Sequence, residues 1–326
     1  MTNLKIDIAI PVLNDTNIRD TLHSLANQFP TDGLTVLISD NSSDSDIGSI
    51  VSEFRNQLNI RYFRQKRRVS FEANLIAALK LGSGDVVTCC GAGDDLNLEH
   101  LVRASSLLAA DRSLDMVGGC LSINNSGTVY RNTFLDFQLG CARDGHLNRS
   151  DLSKWIILGP LSSIGSWIIR RAALEESLHY NPIDVEGTKF PQIAIVLGIR
   201  RDLCILQTPY SFFEITEEID PSRQKNAIYA ETSWIGRLLA LVEVEQNERQ
   251  REVKEILGRV LRVNLISFKA FGGRKSLDSV CLQLQALDPR RSTQLRCKLV
   301  SLLPTKWCFL AVRVYRKVRA RMLAFD

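Results

Sequence analysis

Residues 86–95 have the sequence Val86-Val87-Thr88-Cys89-Cys90-Gly91-Ala92-Gly93-Asp94-Asp95. The apolar run predicts a buried strand, and the glycines after it predict a turn. Two carboxylates at the end of a buried strand are costly in free energy unless a cation meets them, and a hard divalent ion with phosphate oxygens meets that need. The alternative interpretation is structural: Asp95 would cap the following helix, and Asp94 would be a solvated loop residue.

The chain before this turn alternates predicted strands and helices. Residues 6–13 and 34–39 are apolar runs that predict strands, and Ile18, Leu22 and Leu25 between them have the spacing of a buried helix face. This order is typical of an α/β fold with a parallel sheet, in which ligands gather outside the carboxyl ends of the strands. The polar residues at those predicted ends are Asn14, Asp40, Asp94 and Asp95.

A basic run at residues 64–68 follows a third predicted strand at residues 60–64. A charge run is usually a solvated loop, and we expect that for most of these side chains. One of the cations at most is expected to face a diphosphate.

Six motifs, in this order, resemble those of family 2 glycosyltransferases. They are Ile10-Pro11-Val12-Leu13-Asn14, Leu22-x-Ser24-Leu25-x-x-Gln28, Ser39-Asp40-Asn41-Ser42-Ser43-Asp44, Ala73-Asn74, Gly84-Asp85-Val86-Val87 and Gly93-Asp94-Asp95. The resemblance extends over residues 1–105, and the ordered series is far more specific than any single motif. It implies a GT-A fold, which is a Rossmann-like, mostly parallel sheet flanked by helices, and it implies a nucleoside-diphosphate sugar as donor.

The resemblance also implies roles for individual residues. Asp40 would accept a hydrogen bond from the base or the ribose. Asp95, together with Asp94, would hold Mg²⁺ or Mn²⁺ on the diphosphate, where the ion neutralises the charge that develops on a departing nucleoside diphosphate. The nucleotide-sugar site as a whole would comprise Pro11, Asn14, Asp40, Asn74 and Asp94.

The sequence departs from the family pattern in two places. Ala92 stands where the family usually has the first aspartate of Asp-x-Asp, so a metal-independent variant remains open. The Glu-Asp pair that supplies the catalytic base is absent near residues 187–192. The nearest carboxylates, Asp184 and Glu186, are therefore our candidates for the base, with exposed turn residues as the alternative interpretation.

The acceptor side has fewer signals. Trp155 and Trp167 are candidates for stacking on a sugar, although Trp167 stands in an apolar run that favours core packing. Residues 190–197 are similar to family members related to abequosyltransferases, which act in bacterial surface polysaccharide assembly. This short motif suggests a deoxysugar donor and a saccharide acceptor in O-antigen or capsular polysaccharide synthesis.

We expect a catalytic domain at residues 1–215, with a nucleotide-sugar half at 1–105 and an acceptor half at 106–215. Residues 216–326 are predicted to be mainly helical, with helices at 230–245, 248–271 and 277–287. Breaks are predicted at Gly272-Gly273 and Asp288-Pro289.

The C-terminal segment 296–322 is basic and apolar. Eight Lys or Arg residues and no acidic residue stand between Arg296 and Arg321, and leucines, valines and aromatics alternate with them. Such a segment is typical of a helix that lies on anionic lipid, and a terminal helix packed on the core with snorkelling cations is an equal alternative. The lipid interpretation predicts a peripheral enzyme at the cytoplasmic face of the inner membrane, with a polyprenyl-diphosphate-linked acceptor.

Composition agrees with a cytoplasmic enzyme. The chain has 326 residues, a net charge of +5 and eight cysteines without metal-ligand spacing, and its first residues do not resemble a signal peptide. A nucleotidyltransferase would usually have a glycine-rich loop after the first strand, and residues 11–15 contain no glycine. No motif indicates a nucleic-acid partner. A catalytically inactive scaffold that binds nucleotide remains open, because Ala92 replaces an aspartate and the Glu-Asp pair is missing.

Overall fold

A computed structural model describes residues 4–28, 33–43, 46–125, 128–132, 146–147, 164–180, 191–199, 204–216, 248–312 and 314. The strands in these ranges are β1 Ile6–Val12, β2 Leu34–Asp40, β3 Ile60–Arg64, β4 Val86–Cys89, β5 Asp95–Leu96, β6 Met116–Asn125, β7 Thr128–Asn132, β8 His146–Leu147, β9 Trp167–Arg170 and β10 Ile205–Thr216. The helices are α1 Ile18–Gln28, α2 Ile47–Phe54, α3 Phe71–Lys80, α4 Leu98–Ala110, α5 Arg171–Tyr180, α6 Pro191–Gly198, α7 Glu248–Leu287 and α8 Arg291–Leu302.

The ten strands form one mixed sheet in the order β3-β2-β1-β4-β9-β6-β10-β5, with β7 on β6 and β8 on β10. β1 pairs in parallel with β2 and β4, and β2 pairs in parallel with β3. β9 runs antiparallel to its neighbours β4 and β6. The predicted parallel first half is confirmed, and it brings the carboxyl ends of β1, β2 and β4 to one edge of the sheet.

The sheet is covered on both faces, which explains why β1 is apolar almost throughout. Ile8 and Ile10 pack in one buried cluster with α1, α2 and α4, whereas Ala9 between them belongs to a second cluster with α3 and α5. This alternation follows from the period of two along a strand. Leu265 and Phe268 of α7 lie in the same cluster as Ala9, so the C-terminal helices are built onto the core of the sheet.

The C-terminal helices break close to where the sequence predicts. α7 runs through the predicted break, with a kink at Gly273, whose φ of 70° lies in the left-handed region that favours glycine. Asp288-Pro289 separates α7 from α8, as predicted. The predicted helix at 230–245 lies outside the described ranges. The predicted division between residues 215 and 216 falls at the end of β10 and remains a prediction. None of the helices in the described ranges is long and apolar enough to cross a bilayer.

Candidate active site

The acidic turn lies between β4 and β5. Asp94 folds back on the turn, and its Oδ2 accepts a hydrogen bond of 2.7 Å from the backbone N–H of Gly91. Gly93 has a φ of 88°, a conformation that glycine adopts without strain. Asp95 is exposed and does not cap α4, because Asn97 does so by accepting a hydrogen bond of 3.0 Å from the N–H of His100. The structural interpretation of the two aspartates therefore fails for Asp95.

Helix α1 holds the acidic turn from the side. The hydroxyl of Thr21 donates to the carbonyl oxygen of Asp94 at 2.9 Å and accepts from the N–H of Gly93 at 2.9 Å. The hydroxyl of Ser24, one turn further along the helix, donates to Oδ1 of Asp95. The backbone of the turn and one of its carboxylates are thus fixed by the same helix face.

Gln28 continues this face of α1. Its Nε2 donates to the carbonyl oxygen of Leu96 at 2.8 Å, and its Oε1 accepts from the N–H of Leu98 at 3.1 Å. The amide therefore ties β5 and the first turn of α4 to α1. From the sequence, Ser24 and Gln28 are predicted only as parts of a family motif, without a role, and Thr21 is not predicted. The signal that could have found all three is their helical spacing, which places them on one face of α1.

The turn disfavours charge on Asp94. Burial raises the pKa of its carboxyl to about 6, the hydrogen bond from Gly91 opposes this rise, and the nearby carboxylate of Asp15 adds to it. A partly buried carboxyl group beside a second acidic group is a place where a cation lowers the free energy of the charged form.

The two adjacent aspartates fit a divalent ion whose other ligands are phosphate oxygens and water. Oδ1 of Asp94 has no hydrogen-bond partner among the described residues, and Asp95 is exposed at the edge of the sheet. The described ranges contain no group of three or more His, Cys, Asp or Glu side chains that could hold a metal alone. Mg²⁺ and similar ions are often bound by one or two carboxylates plus substrate phosphates and water, which is the set that this edge offers.

The predicted nucleoside side of the edge contains Asp40 at the end of β2. Its carboxylate is buried and accepts hydrogen bonds from the N–H of Ser42 at 2.9 Å and from the hydroxyl of Tyr62 at 2.6 Å. Burial and the bond to Asp40 raise the pKa of Tyr62 to about 12, so its hydroxyl remains a donor. Each carboxylate oxygen has a second lone pair, so Asp40 retains acceptor capacity.

The other predicted nucleotide residues divide into exposed and buried ones. Asn14 is exposed, has a φ of 52°, and its N–H donates to the hydroxyl of Ser42 at 2.7 Å. Asn74 is buried and accepts from the hydroxyl of Ser39 at 2.8 Å, while its amide donates to the carbonyl oxygen of Val12 at 3.2 Å. Pro11 is buried in β1. Asn74 and Pro11 therefore support the ends of β1 and β2 from within the fold.

The comparisons with known proteins agree with this geometry. The sequence profile described as "Glycosyl transferase family 2" matches residues 7–178. The chain belongs to this family. It is 31% identical over 137 residues to a chondroitin synthase of Escherichia coli, a match that covers 40% of the chain and 19% of that relative. The chain thus matches about a fifth of the length of this curated relative.

Solved structures show the fold. Residues 1–349 of Staphylococcus aureus TarS superpose with a TM-score of 0.65 and 18% identity, covering 95% of this chain and 91% of TarS 1–349. The same part of TarS in complex with UDP-GlcNAc gives 0.66 and 17%, covering 95% and 92%. A mannosyltransferase from Pyrobaculum calidifontis in complex with GDP-Man and Mn²⁺ gives 0.55 and 14%, covering 97% and 89%. The GT-A fold that the motifs imply is confirmed.

The side chains of the basic run at residues 64–68 are mostly exposed, as predicted for a solvated loop. Arg64 donates to the backbone carbonyl of Ser43 at 3.0 Å, which ties it to the loop after β2. Lys66, Arg67 and Arg68 are exposed. A contact between at most one cation of the run 64–68 and a diphosphate remains a prediction.

The acceptor side needs one correction. Trp167 of β9 is 1% exposed and packs in the core with Ala9 and Leu75, so its ring has no free face for a sugar and the core interpretation holds. The other acceptor-side candidates of this family 2 chain, Trp155, Asp184 and Glu186, lie outside the described residues.

Proposed function

We propose that the chain transfers a sugar from a nucleoside-diphosphate sugar to a saccharide acceptor. The observation that carries this proposal is the acidic turn at residues 91–95, which α1 fixes at the same sheet edge as Asn14 and Asp40. Family membership supports it, and so do the nucleotide sugars bound in the TarS and mannosyltransferase structures.

In this proposal the nucleoside lies over the ends of β1 and β2. Asp40 accepts a hydrogen bond from the base or ribose with its remaining lone pairs, and Asn14 lines the exposed rim. Pro11 and Asn74 contribute by holding the backbone beneath. Asp94 faces the ribose and the diphosphate.

Asp95, with Asp94, would hold Mg²⁺ or Mn²⁺. When bound, such an ion neutralises charge on the leaving nucleoside diphosphate. Oδ1 of Asp94, which has no hydrogen-bond partner among the described residues, and the exposed carboxylate of Asp95 support this assignment, and the mannosyltransferase complex contains Mn²⁺. Ser24 orients Asp95 through its hydrogen bond to Oδ1.

A carboxylate must take the proton of the acceptor hydroxyl as its oxygen attacks the anomeric carbon. We assign this role to Asp184 or Glu186, which are the carboxylates nearest to the position of the family's Glu-Asp pair. Trp155 is the proposed stacking residue of the acceptor site. The acceptor is a saccharide on a polyprenyl diphosphate, in O-antigen or capsular polysaccharide synthesis at the cytoplasmic face of the inner membrane, and the basic, apolar C-terminal segment supports this location.

The test is a thermal-shift panel of UDP, GDP, CDP and dTDP with and without Mn²⁺, followed by release of nucleoside diphosphate from the matching sugar nucleotide. A ligand that binds only the folded state raises the apparent stability by mass action, by about 2.7 kcal/mol at a concentration of about 100 Kd. We expect one nucleotide to shift the unfolding temperature by several degrees in a metal-dependent way.

The Asp95→Asn variant should lose the metal-dependent part of that shift and the turnover. Asp20→Asn, an exposed aspartate of α1 that does not contact the turn, is the matched control and should retain both. A nucleotide shift without turnover in the unchanged chain would favour the inactive scaffold. No shift with any nucleotide would contradict the proposal.

A further inference from the structure

The outer face of α8 is apolar. Leu295, Leu299 and Leu302 are 57%, 55% and 78% exposed. Their spacing of four and then three residues places them on one stripe of the helix. Thr293 and Cys297, which are buried against the fold, lie on the opposite side. The most apolar stripe of this helix therefore faces away from the protein.

The helical segment at residues 305–312 repeats the pattern. Trp307 is 58% exposed and Leu310 is 48% exposed, whereas Cys308 between them is 1% exposed. Val314, just beyond, is 50% exposed. A helix that is apolar on most of its circumference is normally covered on most of it. Here only the side of Cys308 is covered by the described residues.

This surface is fixed to the fold. Lys269 of α7 is 4% exposed, and its ammonium group donates to the carbonyl oxygens of Val300 and Ser301 at 2.9 and 2.6 Å. These are the last carbonyls of α8, where a cation is favourable. Burial raises the pKa of the Cys308 thiol, and the nearby positive charge of Lys269 opposes this rise. One buried lysine thus holds the junction between α8 and the next helical segment.

The exposed charged side chains of α8 itself are all positive. Arg291, Arg296 and Lys298 of α8 are exposed. At about 100° per residue, Arg291 and Lys298 lie within about 60° of the direction of Leu295, and Arg296 flanks the other side. No Asp or Glu stands between Pro289 and Phe325. The Lys and Arg residues of this segment are Arg290, Arg291, Arg296, Lys298, Lys306, Arg313, Arg316, Lys317, Arg319 and Arg321.

We propose that the C-terminal face, formed by α8, residues 305–312 and Val314, docks on an anionic lipid bilayer. Its leucine stripe and Trp307 enter the region between headgroups and acyl chains, and the flanking cations contact the phosphates of the headgroups. The folded body stays on the aqueous side, because the stripe lies opposite the buried side of α8. The leucines are exposed at a cost that lipid contact removes.

Charge favours lipid over the other occupants of such a face. A second copy would bring an equally basic, acid-free face against the first, and like charges repel. A nucleic acid would satisfy the cations and leave the leucine stripe in water. The inference deepens the proposed function by placing a lipid-linked acceptor beside the enzyme, but it is tested without donor or acceptor.

The experiment is cosedimentation of the full chain with vesicles, without nucleotide. We expect binding to vesicles that contain phosphatidylglycerol, and at least about tenfold weaker binding to vesicles of phosphatidylcholine alone or at high salt. Equal binding to both kinds of vesicle would overturn the role of the cations. Binding to neither would overturn the proposal.

Two variants with matched controls assign the face. Combined substitution of Leu295, Leu299 and Leu302 by Gln should weaken vesicle binding at least about tenfold, while Ile266→Gln with Leu282→Gln, two exposed apolar residues of α7, should not. Combined substitution of the exposed cations Arg291, Arg296 and Lys298 by Gln should do the same. The control there is substitution of Arg55, Lys80 and Arg112, which are exposed cations elsewhere on the molecule.

The unfolding temperature of each variant checks that it is folded, and unchanged vesicle binding in both α8 variants would overturn the proposal. A dimer by light scattering that the leucine variant dissociates would instead assign the face to a second copy. Tighter binding to RNA than to vesicles would assign it to nucleic acid. The nucleotide thermal shift of the same variants, measured without vesicles, reports separately on the proposed function.

Discussion

The carboxyl group of Asp94 is held in a charge state that the fold disfavours. Burial raises its pKa from 3.8 to about 6, against the hydrogen bond from Gly91 and with a contribution from Asp15. A carboxyl group whose pKa is raised on folding does not lower the stability of the folded state while it is protonated, and lowers it once the group ionises. It therefore makes the folded state less stable as the pH rises from 3.8 to about 6.

Asp94→Asn should remove this dependence while keeping an acceptor for the N–H of Gly91. The stability of the variant minus that of the unchanged chain is expected to rise by on the order of 2 kcal/mol between about pH 4 and about pH 7. Urea unfolding in the presence of EDTA at both pH values measures the difference. Parallel curves for the two proteins would contradict the assignment.

Local chemistry of single residues could be predicted from the sequence, and contacts between distant residues could not. The glycine turn and the two carboxylates follow from ten consecutive residues. The cap of α4 is Asn97, a favoured N-cap type, and Asp95 was the wrong candidate because β5 intervenes before the helix. The apolar run around Trp167 indicates that it is buried, but its packing against Ala9 and Leu75 depends on how distant parts of the chain come together.

Helix α1 holds the acidic turn through hydrogen bonds, and Gln28 at its C-terminal end binds the residues that follow the turn. Gln28→Ala leaves the carbonyl of Leu96 and the N–H of Leu98 without their partner. We expect a loss of about 1–2 kcal/mol in the free energy of unfolding and weaker metal-dependent nucleotide binding.

The control for Gln28 is the adjacent Asn27→Ala. Asn27 is exposed and its side chain contacts His23 one turn back on the same helix, so its removal should change stability by less than about 0.5 kcal/mol. Urea unfolding and the nucleotide thermal shift check both variants. Equal effects of the two substitutions would show that α1 contributes only as a helix.

The α7–α8 hairpin depends on Asp288. The pKa of Asp288 is held well below its usual range. The largest cause is the hydrogen bond from Arg290, and the hydrogen bond from Thr293 and the charge of Arg262 contribute less. A depressed pKa gives stability that is present above 3.8 and is lost as the pH falls below it. Asp288→Asn should therefore cost about 1–2 kcal/mol at neutral pH and less in acid.

Asp278→Asn is the matched control for this hairpin. Asp278 is 62% exposed and lies 3.9 Å from the exposed Arg274, a geometry that contributes little. Its loss should change the free energy of unfolding, measured with urea, by less than about 0.5 kcal/mol. The sequence predicts the breaks at Gly273 and Pro289 from residue type, but the pairing of Asp288 with Arg262 depends on how the two helices fold back.

At the scale of the whole molecule, one ion pair connects the first strand with the second half of the family 2 region. Arg171 at the start of α5 binds Asp7 of β1, with the two side chains 11% and 3% exposed. The guanidinium also donates to the carbonyl of Leu79 at 2.7 Å, and Asp7 accepts from the N–H of Gly84 at 2.7 Å. The partners are 164 residues apart, which is why the sequence does not reveal them.

Arg171→Met should destabilise the sheet and the C-terminal helices together. It leaves Asp7 as a buried carboxylate without its cation, and breaking such a pair costs about 3–5 kcal/mol. Because Leu265 and Phe268 of α7 share a core cluster with β1, far-UV circular dichroism and tryptophan fluorescence should report the same lowered midpoint. Arg55→Met, at an exposed cation after α2, should leave it unchanged. Separate midpoints from the two probes would show that the helices fold independently of the sheet.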